Sequence, residues 1–272
     1  MTKDFIRVVD LHVDYGTGQR AIAGLSMGVG EGEFAAVVGP SGCGKSTLLH
    51  VLSGLLPPSS GVVRIKGEPV GAGLDRMPRV GYVFQDHRLL PWRSVAQNLE
   101  IVLAAARIPK QEWPDRIERY LTMLEIGHFR DAWPLRLSGG QRQRVSIARA
   151  LAIDPVVVLM DEPFSTLDEV TARTMRQELL QVWEESQKTV VFVTHSIREA
   201  LFLADRVIVL SRGPARLLDE MTVSVPRPRQ YEDPHLTELE AQIVDRVMGA
   251  WGYEGQPGPA GHGGSLPEDR TA

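Results

Sequence analysis

Short apolar runs alternate with longer amphipathic stretches along most of the chain. Apolar runs bounded by glycine or proline are typical of buried strands, and longer stretches with apolar residues three and four positions apart indicate helices. The pattern predicts strands at residues 5–15, 33–39, 62–65, 80–84, 156–160, 189–194 and 206–210. It predicts helices within 40–54 and at 93–106, 111–126, 141–152, 169–187, 197–204 and 236–248.

The order of these elements predicts an α/β fold with a mostly parallel sheet flanked by helices. Between about residues 86 and 150 only helices are expected, so a helical insert interrupts the core. We also expect an antiparallel β region near the N-terminus. The core would cover residues 5–225, and residues 226–272 would form a tail whose Gly/Pro-rich end is predicted to be disordered.

Composition narrows the class of protein further. With 43% hydrophobic and 24% charged residues, the chain has the composition of a globular protein. The net charge of −4, with acidic and basic residues interspersed, argues against nucleic acid as a partner. Cys43 is the one cysteine, which excludes an intrachain disulfide.

The first ten residues lack the apolar centre of a signal peptide, and no apolar run approaches the roughly 20 residues of a spanning helix. Membrane association is therefore expected through a partner.

A glycine-rich segment follows the predicted strand at 33–39 and opens a predicted helix. It fits the pattern G-x-x-x-x-G-K-[ST], in which glycines let backbone N–H groups surround phosphates at a helix N-terminus. Lys45 would bind the β- and γ-phosphates, and the Ser46 hydroxyl would bind Mg²⁺. ATP and Mg²⁺ are thus the expected cofactors, although a glycine-rich turn between core elements is the bland alternative. The expected nucleotide-binding residues are Gly39, Pro40, Ser41, Gly42, Cys43, Gly44, Lys45, Ser46 and Thr47.

Two carboxylates, Asp161 and Glu162, end the apolar strand at 156–160. Open α/β sheets bind ligands at the carboxyl ends of their strands. Asp161 is expected to hold Mg²⁺ through its water shell, and Glu162 to act as the general base that polarises the attacking water. Without the glycine-rich segment, the two residues would be interpreted as a solvent-exposed pair of carboxylates after a strand.

The segment Leu137-Ser138-Gly139-Gly140-Gln141 resembles the LSGGQ signature of the ATP-binding cassette family, and it continues with Arg142-Gln143-Arg144 as is usual there. The resemblance implies an ATPase that works as a head-to-tail pair, so a second copy of the chain is an expected partner. ATP bound to one copy would contact the signature of the other. The resemblance therefore adds Ser138, Gly139, Gly140 and Gln141 to the expected nucleotide-binding residues.

Other residues match the family's elements in order over residues 5–225. Tyr15 resembles the aromatic residue that stacks on adenine, and Asp168 the residue that links the paired sites. Gln85 resembles the glutamine that senses Mg²⁺ and nucleotide, so we count it as a metal-binding and catalytic candidate. His195 resembles the histidine that holds the γ-phosphate and the water. The alternatives are an ordinary strand-end aromatic for Tyr15 and a surface amide for Gln85. His195 taken alone would be interpreted as a core histidine, and the order of the motifs favours the switch role instead.

The stretch 83–99, with Leu90-Pro91-Trp92, resembles the nitrate/sulfonate/taurine importer branch, as does the segment 225–229. The resemblance implies an integral membrane permease as partner, a solute-binding protein as indirect partner, and a peripheral location at the cytoplasmic face of the cell membrane. Leu90, Pro91 and Trp92 are candidates for contact with the permease; the alternative is that Trp92 packs inside the insert. Aliphatic sulfonates rank first as solute, ahead of taurine and nitrate.

Three other classes compete with an importer ATPase. A cassette ATPase of translation or DNA repair usually carries two cassettes or a long coiled coil, and this sequence has neither. The Leu-Pro-Trp segment argues against an exporter motor. A nucleotide-binding regulator without hydrolysis requires a degenerate acid pair, whereas Asp161 and Glu162 are both present. The solute, the permease and the role of the tail stay open at this stage.

Overall fold

The computed structural model of the chain describes residues 4–16, 18–71 and 77–252. Its strands are β1 (Ile6–Tyr15), β2 (Gln19–Val29), β3 (Phe34–Val38), β4 (Ser60–Ile65), β5 (Glu68–Pro69), β6 (Val80–Val83), β7 (Val157–Asp161), β8 (Thr189–Thr194), β9 (Arg206–Leu210) and β10 (Leu217–Thr222). Its α-helices are α1 (Lys45–Leu52), α2 (Val95–Ala105), α3 (Trp113–Met123), α4 (Gly139–Leu151), α5 (Glu169–Ser186), α6 (Ile197–Leu203) and α7 (Pro234–Val247).

An antiparallel sheet with the strand order β2-β1-β4-β5 forms the N-terminal part of the fold. Ile6 of β1 pairs with Val29 of β2 on one side and with Ile65 of β4 on the other. Alternate residues of β1 are buried, as expected for a strand with one face on the core. The antiparallel region predicted near the N-terminus is confirmed.

A second sheet, in the order β10-β9-β3-β8-β7-β6, carries the main core. All pairs from β9 to β6 are parallel, and only β10 at the edge runs antiparallel. Every residue of β3, β7 and β8 is buried, because helices cover both faces of a parallel sheet. The predicted α/β fold is confirmed, and the carboxyl ends of these three strands lie side by side.

Strands β2, β5 and β10 were missing from the sequence-based prediction. β2 contains Gly24 in the left-handed region, and its pairing with β1 has several register shifts. β10 is a polar edge strand in which only Met221 is buried. In β2, Leu25, Met27 and Val29 alternate with Gly24, Ser26 and Gly28, a strand pattern that the prediction overlooked. β10 has no such alternation and is stabilised by its pairing with β9.

Helices α2, α3 and α4 follow one another in the stretch where an insert was expected. The hydroxyl of Ser94 begins α2 by accepting from the Gln97 N–H, and Gln97 bonds back to the Ser94 N–H. α4 begins at Gly139, two residues earlier than predicted, and packs on β6 and α2. The boundaries 86–150 for an insert stay a prediction.

The tail forms α7, which packs on α6 through the buried side chains of Leu236, Ile243 and Val247. The tail end predicted to be disordered, from residue 253 onward, lies outside the described residues. Among the helices of the described residues, none combines the length and the apolar character that crossing a membrane requires.

We expect Asn98→Ala to destabilise the fold by about 2–3 kcal/mol, because the buried amide loses four hydrogen bonds to the backbone of Leu90, Arg93 and Ser94. The Asn98 side chain is 1% exposed, accepts from the Leu90 N–H at 2.8 Å, and donates to the carbonyl oxygens of Leu90 and Ser94 at 3.2 and 3.0 Å. Urea unfolding measures the change. Ile101→Ala on the exposed side of the same helix is the control, and an equal loss in both variants would contradict a role for the Asn98 bonds.

Candidate functional site

The glycine-rich segment connects β3 to α1 as a tight loop around the N-terminus of α1. Gly44, the residue before α1, has a φ of 119°, which side-chain-bearing residues rarely adopt. A Cβ at this position would lie 2.7 Å from the carbonyl oxygen of Ala21 in β2. Glycine is therefore required here, and the backbone N–H groups of the first helical turn stay available to bind an anion.

Lys45 lies inside this loop and is only 5% exposed. Its Nζ donates to the carbonyl oxygens of Gly39 and Pro40 at 2.9 and 3.1 Å. The same Nζ lies 3.5 Å from Oε1 of Glu162. The loop thus holds a buried ammonium group beside the Glu162 carboxylate, which directly follows β7.

Ser46 and Asp161 bring hard oxygen atoms together next to Lys45. The Ser46 hydroxyl donates to Oδ1 of Asp161 at 3.0 Å, and the Tyr82 hydroxyl lies 3.4 Å from Oδ2. Burial raises the pKa of the Asp161 carboxyl, and the neighbouring Glu162 charge raises it further. Hydroxyl and carboxylate oxygens are the donors that Mg²⁺ prefers, and a cation would favour the ionised carboxylate, so these residues fit that ion.

Glu162 lies between Lys45 and His195. Its backbone has a φ of 43°, which is uncommon outside glycine, and its N–H donates to the carbonyl oxygen of Val193 in β8 at 2.9 Å. Oε2 of Glu162 lies 2.9 Å from Nδ1 of His195, which follows β8. The parallel pairing of β7 with β8 therefore brings these two candidates into hydrogen-bond contact.

Gln85 and Tyr15 approach the same loop from two other elements. Nε2 of Gln85 donates to Oγ of Ser165 at 3.3 Å, and that hydroxyl donates to the Glu162 carbonyl oxygen at 2.9 Å. Gln85 is thus linked to the segment that carries Glu162. The hydroxyl of Tyr15, at the end of β1, lies 2.8 Å from Oγ1 of Thr47.

A cleft of about 740 Å³ opens over the loop. Candidates that line it come from the glycine-rich loop, from the end of β1 and from the carboxyl side of the sheet: Tyr15, Ser41, Gly42, Gly44, Lys45, Ser46, Thr47, Gln85 and Glu162. Cys43 is buried below the loop, where burial raises the pKa of its thiol. The residue therefore fills space as a protonated side chain.

No sequence motif predicted the other wall of this cleft, which Gln19, Arg20 and the segment 212–214 form. The turn between β9 and β10 is tied to β2, because Ala215 N–H donates to the Ala21 carbonyl oxygen at 2.8 Å. This tie places Arg212 at the cleft. No local motif marks these positions, since the contact joins residues about two hundred positions apart in sequence.

The signature residues lie outside the cleft. Ser138 is the N-cap residue of α4. Its hydroxyl accepts from the Gln141 N–H, and its own N–H donates to the side-chain oxygen of Gln141. A Cβ on Gly140 would lie 3.0 Å from Cγ2 of Thr171 in α5, so the two glycines allow α4 and α5 to approach closely. Asp168 is the N-cap residue of α5, and its carboxylate accepts from the Thr171 N–H at 3.0 Å. This bond lowers the pKa of the Asp168 carboxyl. Within the described residues, no member of this group lines the cleft over the loop.

Comparisons with known proteins show which family the chain resembles. The sequence model of the ABC transporter family matches residues 22–165. The nitrate import ATP-binding protein NrtD of Synechococcus elongatus is 42% identical over 83% of this chain and 84% of its own length. The aliphatic sulfonates import ATP-binding protein SsuB 1 of Rhizobium johnstonii is 40% identical over 91% of this chain and 87% of its own length.

A solved structure of similar fold is a dimeric ATP-binding cassette in a post-hydrolysis state, bound to ADP and phosphate. It shares 33% sequence identity with this chain at a TM-score of 0.71. The superposition covers 81% of this chain and 100% of the other.

We expect Lys45→Ala to weaken ATP binding about 10- to 100-fold, because one buried charge-assisted contact with phosphate is lost. Calorimetric titration with ATP measures the change. The exposed Lys110 gives the matched control, and Lys110→Ala should bind ATP like the wild type. Unchanged affinity in Lys45→Ala would contradict the assignment of this loop as the phosphate site.

Proposed function

The chain belongs to the ABC transporter family of ATP-binding proteins, whose activity is ATP hydrolysis coupled to transport, and on this premise we propose that it powers import of a small anionic solute. The observation that carries the proposal is the position of Glu162. Its carboxylate lies 3.5 Å from the Lys45 ammonium and 2.9 Å from the His195 imidazole, beside a loop built to bind phosphates.

The proposed hydrolysis follows from these contacts. The loop N–H groups and Lys45 bind the phosphates, which fixes the γ-phosphate near Glu162. Glu162 accepts the proton of the attacking water, whose oxygen bonds to the γ-phosphorus while the bond from that phosphorus to the β–γ bridging oxygen breaks and ADP leaves. His195, in contact with the Glu162 carboxylate, holds the γ-phosphate and the water in position. Mg²⁺, held by Ser46 and Asp161 with Gln85 nearby, would neutralise charge on the phosphates. Tyr15 is proposed to stack on adenine at the open side of the cleft.

The complete site requires a second copy of the chain. Ser138, Gly139, Gly140 and Gln141 do not line the cleft of their own chain, whereas the N-terminus of α4 carries the partial positive charge suited to a phosphate. A head-to-tail partner would place this N-terminus against the γ-phosphate, with Asp168 linking the two sites. The similar cassette bound to ADP and phosphate is itself a dimer.

A separate membrane permease is the proposed second partner, at the cytoplasmic face of the membrane. Trp92 is 64% exposed, so it does not pack inside the helical segment and is free to contact another protein. The buried bonds of Asn98 fix the shape of the segment around Leu90 and Pro91. A rigid, exposed aromatic residue is typical of a docking contact.

For the solute, we propose an aliphatic sulfonate, delivered by a solute-binding protein. The alternatives are taurine and nitrate. Identities of 42% to NrtD and 40% to SsuB 1 support a small anion without separating the two. The preference for sulfonate rests on the resemblance of residues 83–99 to that importer branch.

Replacing the proposed base tests the mechanism. We expect Glu162→Gln to bind ATP, to elute as a dimer with ATP, and to hydrolyse it at least about 100-fold more slowly, because an amide does not accept the proton. Phosphate release and size-exclusion chromatography measure these properties. Glu68→Gln on the exposed edge strand β5 is the control. Turnover at the wild-type rate in Glu162→Gln would exclude Glu162 as the base.

Transport assays decide the solute. The chain, assembled with its permease in vesicles and supplied with the solute-binding protein, should take up radiolabelled ethanesulfonate only when ATP is present inside. Nitrate and taurine are compared at equal concentration, and Glu162→Gln should abolish the uptake. Uptake of nitrate or taurine in preference to ethanesulfonate would overturn the sulfonate proposal, and ATP-driven release of solute would overturn import.

A further inference from the structure

A second cavity, of about 230 Å³, adjoins the candidate site on the side of α5 and α6. Glu162 and His195 line it, and so does Tyr231 from the C-terminal tail. The tail therefore reaches the immediate surroundings of the two residues proposed to act on the attacking water. None of the motifs in the sequence assigns a role to this part of the chain.

A buried ion-pair network joins α5 to α6 at this cavity. Arg176 and Glu199 are 6% and 5% exposed, and Nε of Arg176 donates to Oε1 of Glu199 at 2.9 Å. Nη1 of Arg176 also donates to Oε1 of Glu169, the first residue of α5, at 2.9 Å. Breaking a buried pair leaves an uncompensated charge, so the network strongly favours one arrangement of the two helices.

The network holds the helix that follows His195. Glu199 lies in the first turn of α6, and its N–H donates to Oγ of Ser196, the residue directly after His195. A shift of Glu199 would therefore shift Ser196 and the imidazole of His195 relative to Glu162. The distance between Nδ1 of His195 and Oε2 of Glu162, 2.9 Å, leaves little tolerance for such a shift.

Tyr231 covers this network with its aromatic ring. The guanidinium carbon of Arg176 lies 5.1 Å from the ring centroid, and that of Arg198 lies 5.6 Å from it. Phe202 of α6 packs edge-on against the same ring at 5.5 Å. The ring attracts the guanidinium groups and keeps water from Arg176, which strengthens the pair with Glu199.

The tail is fastened on both sides of Tyr231, which fixes the ring in place. Before it, Arg229 donates to the carbonyl oxygens of Leu201 and Ala204 at 2.8 and 2.6 Å, at the C-terminal end of α6. After it, the Glu232 carboxylate pairs with Arg173 of α5 at 2.7 Å. The tail thus contacts both helices that the network joins.

We propose that Tyr231 is a positioning residue for ATP hydrolysis: its ring stabilises the Arg176–Glu199 pair, which holds His195 against Glu162. The inference rests on the proposed roles of Glu162 and His195. Tyr231 does not line the nucleotide cleft, so its removal changes the rate of hydrolysis and leaves ATP binding intact.

Steady-state ATPase measurements on the full-length chain test this role. Tyr231→Ala and Tyr231→Leu should lower kcat about tenfold, with the KM for ATP within about twofold of the wild type. Tyr231→Phe keeps the ring and should keep kcat within about twofold. The control is Arg246→Ala, which removes the 2.7 Å ion pair between α7 and Asp219 at the far end of the tail and should leave kcat unchanged. Thermal unfolding of each variant checks that it is folded.

Three outcomes would overturn the proposal: wild-type kcat in Tyr231→Leu, a loss in Tyr231→Phe as large as in Tyr231→Ala, or an equal loss in Arg246→Ala. The last result would mean that any loosening of the tail slows the enzyme. Normal turnover in Glu162→Gln would overturn the proposed function together with this inference, whereas slow turnover in Glu162→Gln combined with any of the three outcomes above would overturn the role of Tyr231 alone.

Discussion

The carboxylate of Glu162 contacts the Lys45 ammonium on one side and the His195 imidazole on the other. The rest of the fold holds these three groups together. They follow three different strands, β7, β3 and β8, which are neighbours in one parallel sheet. Because parallel strands end at the same edge, their following loops meet there. The fold thus places Lys45 beside two residues that lie more than a hundred positions later in the sequence.

The register of the sheet fixes this meeting point. Val38 of β3 lies opposite Thr194 of β8, and Asp161 of β7 lies opposite Val193. A slip of one residue in either pair would turn every side chain of a strand to the other face. Since both faces of these strands are buried, such a slip would exchange the side chains of the two faces and disrupt the packing on each. The same burial that stabilises the sheet therefore sets the geometry of the candidate site.

Segments that are distant in sequence pack around Glu162. The turn between β9 and β10 is bonded to β2 and closes one wall of the cleft. The tail contacts α5 and α6 through Tyr231 and Glu232 on the opposite side of Glu162. The N-terminus of α4 is left at the surface of its own chain, with Gly140 packed on α5. Within the described residues of one copy, Glu162 is thus closely surrounded, whereas the N-terminus of α4 has no contact with the cleft.

The glycine-rich loop, the acid pair and the order of most strands and helices were predictable from the sequence, because each depends on local residue chemistry. Gly44, Lys45 and Ser46 predict the loop that they form, and an apolar run predicts β7 without reference to its neighbours in the sheet. The folded structure was needed to show that β10 is a strand, that Arg212 faces the cleft, that Trp92 is exposed, and that Tyr231 lies beside the site. These features depend on contacts between residues far apart in sequence, and no local pattern encodes which distant partners will meet.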